Sequence, residues 1–130
     1  MRRTVVAVLS TLLALGAAVA APGSAAAAAG PFTGTWTSTD LDGSNQWVSI
    51  RGSGSGAYSV FLYDDSATNA CGGDPARFVG AGRADGAFLD VPGTLTCLPG
   101  GNVIRHRIGF GFELVDDTLV DVSGVVWSRA

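Results

Sequence analysis

Val103-Ile104-Arg105-His106-Arg107-Ile108-Gly109-Phe110-Gly111-Phe112-Glu113-Leu114 alternates without a break. Ile104, His106, Ile108, Phe110, Phe112 and Leu114 fall on one face. Arg105, Arg107, Gly109, Gly111 and Glu113 fall on the other. A period of two puts successive side chains on opposite faces of a strand. One apolar and one polar face is the pattern of a sheet packed on one side and wet on the other.

The same period recurs through the chain. Phe32 to Thr39 places Phe32, Gly34 and Trp36 together, and Gln46 to Arg51 pairs Val48 with Ile50. Ala57 to Tyr63 sets Tyr58, Val60 and Leu62 against Ala57, Ser59, Phe61 and Tyr63. Ala76 to Arg83, Ala87 to Val91, Thr94 to Cys97 and Thr118 to Ser128 read as the remaining strands. Asp42-Gly43, Gly52 to Gly56, Leu98 to Asn102 and Val115 to Asp117 read as turns. Asp64 to Pro75 is the longest irregular segment. No stretch after residue 30 carries a helical period over three turns. The spacing predicts an all-β fold, an antiparallel up-and-down meander of about eight strands. Closed or nearly closed as a barrel, it would expose no strand edges.

The head of the chain has a different character. Met1-Arg2-Arg3 is positive, Thr4 to Ala20 is apolar, and Ala18 to Ala21 and Ala25 to Ala29 offer small residues to a signal peptidase. Residues 1–29 therefore read as a signal helix cleaved on export, after Ala20 or near Ala29, leaving residues 30–130 as a single secreted domain. The run is alanine-rich and no basic cluster follows it, so a retained membrane anchor is not expected. Without the head, six Arg face eleven acids, a net charge of about −5, and there is no lysine. An acidic surface argues against nucleic acid and against anionic membranes. Export separates the domain from nucleotide cofactors, and no cofactor is expected. Cys71 and Cys97, an even pair in an exported chain, predict a disulfide. Their separation is too wide for a redox C-x-x-C, and with a single histidine they make a poor zinc set.

Two ends of the chain belong together. Gly34-Thr35-Trp36 opens the first strand and Trp127-Ser128-Arg129 ends the last. This resembles the signature of calycin barrels, the lipocalin and avidin-type folds. By that resemblance Trp36 is the residue at the barrel floor and Arg129 lies across it. The second lipocalin motif and the polar row with which avidin holds biotin are both missing. The head and the composition are also similar to those of short secreted proteins of high-GC Gram-positive bacteria.

Few residues carry chemistry. His106 alternates with Ile104 and Ile108, as a core histidine bonded to a carbonyl or as a polar fixture in a cavity. Gly52-Ser53-Gly54-Ser55-Gly56 leads into no helix, so it is neither a nucleophile elbow nor a phosphate loop. No catalytic residue is expected. Asp40-x-Asp42-Gly43 starts like a calcium loop but lacks its closing Glu, and Asp64/Asp65 and Asp116/Asp117 read as turn formers; no metal site is expected. The favoured function is non-catalytic binding of a small molecule inside the barrel, at Tyr58, Val60, His106, Phe110 and Phe112. An extracellular protein partner is the alternative, for instance a protease met by the loop around Cys71. A third is carbohydrate, stacked on Trp47, Phe61, Tyr63 and Phe88 if these outward aromatics are exposed. Arg105 and Arg107 could meet an anionic ligand or pair with nearby Asp. Oligomeric state is left open by the pattern.

Overall fold

The computed structural model describes residues 29–52, 54–98 and 105–130. The signal segment apart from Ala29, the turn at residues 99–102 and the first two residues of the Val103–Leu114 stretch lie outside the described residues. The eight strands are β1 (Gly34–Thr39), β2 (Asn45–Gly52), β3 (Ala57–Asp64), β4 (Ala76–Asp85), β5 (Phe88–Cys97), β6 (Arg105–Val115), β7 (Thr118–Asp121) and β8 (Val126–Arg129). Each pairs antiparallel with the next, and β1 pairs with β8 to close the barrel. The up-and-down barrel expected from the alternation is the fold.

Two strand boundaries differ from expectation, and their effects on the count cancel. Pro92-Gly93 reads as a break, yet β5 runs straight through it. Pro92 has no N–H to give, and the β4 register passes from Gly80↔Gly93 to Arg83↔Asp90, while Pro92 keeps its place opposite Gly109 of β6. Thr118 to Ser128 reads as one strand and is two. The Asp121 carboxylate accepts from the amides of Ser123 at 2.9 Å and Val125 at 3.0 Å, which folds the chain back.

Inward residues follow the pleat. Phe32, Trp36, Val48, Ile50, Ala76, Phe78, Val91, Leu119 and Trp127 have no exposed surface. Burial of each large apolar side chain is worth about 1.5–3 kcal/mol relative to exposure. Rings link the core into one body. Phe78 meets Phe110 at 4.7 Å, Phe110 meets Phe112 at 6.2 Å, and Phe112 meets Trp127 edge-on at 5.9 Å. The Gly80–Gly93 pair makes room for the first of these: a Cβ on Gly93 would lie 2.5 Å from Cζ of Phe78.

The barrel has two unlike ends. At one, the N-terminal segment before β1 closes the floor. At the other, Asp64 to Pro75 contains a short helix, α1 (Thr68–Cys71), tied to β5 by the Cys71–Cys97 disulfide. No helix among the described residues is long and apolar enough to cross a membrane.

Candidate functional site

The five residues expected to line a chamber are found in the packed interior and at its margin. Tyr58 is buried at the closed end, edge-on to Phe32 at 5.5 Å. Val60 and Phe112 are buried, and Phe110 is half-buried between Phe78 and Phe112. Val48, Ile50, Phe78, Val91 and Leu119, spread around the wall, are each 0% exposed. A hole large enough for water would leave accessible area on its walls, so the interior next to these residues is solid. His106 is half-buried near the mouth, with Nε2 3.1 Å from the Ala70 carbonyl oxygen. A carbonyl only accepts, so Nε2 carries the proton and the ring braces α1.

At the closed end Trp36 is buried and donates its Nε1–H to the Phe32 carbonyl at 3.0 Å. The Arg129 guanidinium lies 4.0 Å from the centre of the Trp36 ring. It also donates to the carbonyls of Thr33 at 3.0 Å and Pro31 at 3.3 Å, and to Asp117 at 2.8 Å. Gly34 has φ +150°, and a Cβ there would stand 2.7 Å from Nη1 of Arg129. The glycine of the Gly-x-Trp pattern is needed for the Arg to lie flat.

At the mouth, Asp40, Asp42, Asp64 and Asp121 rim a depression of about 170 Å³ whose apolar side is Leu95, Ile108 and Phe110. Their oxygens serve the backbone and neighbouring side chains. Asp42 accepts from the Ser44 amide at 2.9 Å and the Thr68 amide at 3.3 Å. Thr68, chiefly through its side chain, and then the Ser44 amide hold its carboxyl well below the usual carboxylate range. Asp64, itself buried, accepts from Gln46 Nε2 at 3.0 Å and the Ser66 amide at 2.9 Å. Asp121 accepts from Trp127 Nε1 at 3.0 Å. Among the described residues no three His, Cys, Asp or Glu side chains are placed to share a metal ion.

The outer wall offers a ligand more. Trp47 of β2 stands opposite Tyr63 of β3, and Phe61 opposes Ser49 one step along. The Trp47 ring is 5.2 Å from Phe61 and 6.1 Å from Tyr63, with interplanar angles of 31° and 29°. Trp47 thus packs between two rings, each tilted by about 30° from its own plane, and is itself 39% exposed. Trp47 and Tyr63 border a groove of about 640 Å³ whose other walls include Thr37, Thr39, Asn45, Asp65 and Ser128. Trp47 and Phe61 border a second of about 380 Å³, with Ser49, Arg51, Ser59 and Val79. The first groove has a fixed polar edge. Asp65 accepts from the Asn45 amide at 2.8 Å and from Nδ2 of Asn45 at 3.1 Å.

Strand alternation identifies the aromatic side of this site. Its polar side comes from register: Thr37 lies opposite Trp47, and Ser128 opposite Thr37. The alternating Thr35, Thr37 and Thr39 are the signal that could have found it. Phe88 does not join the row. It is 60% exposed on β5, beside an apolar hollow of about 240 Å³ with Val120 and Val122. No protein-family model, curated protein or solved structure matches the chain.

Proposed function

We propose that this is an exported, non-catalytic binding protein of calycin-like barrel type that holds a glycan on the outer groove beside Trp47. The observation that carries this is the cluster of Trp47, Phe61 and Tyr63 against a hydroxyl- and amide-lined wall, on the outside of a barrel whose wall residues are closely packed within. A sugar ring has an apolar C–H face that packs on an aromatic ring, and hydroxyls that pair with Thr, Ser, Asn and Asp. One carboxylate, Asp65, borders the groove, whereas glycoside hydrolysis generally takes two. The Arg129–Trp36 stack supports the calycin likeness. The disulfide and the residue 1–29 pattern support export.

A small molecule in the barrel would be limited to the depression at the mouth, about 170 Å³ beside Leu95, Ile108 and Phe110, below the range of roughly 300–1,000 Å³ typical of small-ligand sites. A protein partner is favoured by a different observation, exposed Phe88 and Val122 beside the apolar hollow. Purified protein tested for retention on insoluble polysaccharides separates the two. Trp47→Ala is expected to weaken retention by at least about tenfold in a protein that still unfolds cooperatively at a somewhat lower temperature, as for an interface anchor. Phe88→Ala is expected to leave it intact. If no polysaccharide retains the wild type, or if Phe88→Ala is the variant that loses binding, the glycan assignment fails.

A further inference from the structure

The groove's charge narrows the ligand class, on the premise that the groove holds a glycan. Ten described residues line it: Trp47, Tyr63 and Val126 are its aromatic and apolar members, Thr, Ser, Asn and Gln make up most of the rest, and neither Lys nor Arg is among these described residues. Among the described residues its one charged group is Asp65, exposed and held in place by both the main chain and the side chain of Asn45. Among the described residues of the groove, a uronate, sulfate or phosphodiester polymer would meet a fixed like charge and no cation. Like charges brought together at an interface count against a partner even where matched contacts are good.

The rest of the wall makes the contrast sharper. The narrower groove across Trp47 contains Arg51, and Arg77 stands opposite Tyr63 on the far side of the aromatic row. Cations thus flank the aromatics on the side away from the larger groove. Its volume, about 640 Å³, falls within the range of roughly 300–1,000 Å³ typical of small-ligand sites, enough for a short stretch of oligosaccharide. We infer that the ligand is an uncharged polysaccharide, lying from the Trp47–Tyr63 rings towards Ser128 of β8, with Asp65 as a fixed acceptor for sugar hydroxyls and the element that rejects anionic glycans.

Affinity gel electrophoresis tests this with matched neutral and anionic polymers, such as hydroxyethylcellulose with carboxymethylcellulose and agarose with carrageenan, beside neutral mannan and arabinogalactan. At least one neutral polymer is expected to retard the protein, with its anionic counterpart at least about tenfold weaker at low salt. Raising salt from about 20 to about 500 mM is expected to change the neutral affinity by less than about twofold, because screening acts on charge. Asp65→Asn keeps an acceptor oxygen and is expected to narrow the neutral-to-anionic gap at least threefold or so. The wild-type salt series decides the matter should that variant fold poorly. Retardation mainly by anionic polymers, reversed by salt and lost in Trp47→Ala, overturns the neutral-ligand inference while leaving the glycan site in place. Retardation by none of them overturns both.

Discussion

Arg129 shows how one side chain can hold a barrel end. Its ion pair with Asp117 joins two exposed groups, 39% and 80% accessible, and such pairs contribute about 0–1 kcal/mol. The stack on Trp36 is worth about 0.5–2 kcal/mol, and two carbonyl bonds fix the segment that closes the floor. Asp117→Ala should therefore lower stability by less than about 1 kcal/mol, and Arg129→Met by about 2 kcal/mol, read by urea denaturation. Asp42 works through protonation. Its hydrogen bonds favour the ionised form, so its folded-state value lies below the unfolded value of about 4. That stabilisation is complete above the unfolded value and is lost as pH falls through the folded one. The melting temperature of Asp42→Asn should lie below wild type at pH 7, and the difference should shrink progressively below about pH 4.

Among the elements, strand period was legible because the sheet has one wet side. Tyr58, Val60 and Leu62 face in and Ser59 faces out, as the alternation requires. Where local signals mislead, tertiary pairing explains why. Pro92 ends a strand only if the neighbour its nitrogen faces needs an N–H; the β4 ladder lapses beside it, and β6 keeps it opposite Gly109. The helix α1, four residues long, has no pattern of its own and is too short to stand without support. Its supports are the disulfide, the Asp42–Thr68 bond and the His106–Ala70 contact. Closing a loop of 26 residues is worth about 3.5 kcal/mol on the chain-entropy model. Cys71→Ser/Cys97→Ser should lose about that much, with hydrogen exchange rising first in residues 66–74. The site was half legible: alternation exposes Trp47, Phe61 and Tyr63, but register alone brings Thr37, Asn45, Asp65 and Ser128 beside them.

At the scale of the whole molecule, the proposed glycan groove lies outside a closely packed core. The groove lies across the β1–β8 seam, with Thr37, Ser38 and Thr39 on one side and Val126 and Ser128 on the other. An occupant therefore contacts both strands that close the barrel. Neutral polysaccharide at 100 times its dissociation constant should stabilise the fold by about 2.7 kcal/mol, and Trp47→Ala should abolish that rise in melting temperature.

That seam is short: two registered pairs, Trp36↔Arg129 and Thr37↔Ser128, with Ala130 N–H donating to the Thr35 carbonyl at 2.9 Å. Both of its strands reach the outside at the same end of the barrel, beside Thr33 and Arg129. Tension applied through residue 30 and residue 130 would consequently load these bonds one after another, as a zip opens, and never all at once in shear. The barrel is mechanically soft along this line, and the proposed glycan, laid over it, would act as a brace.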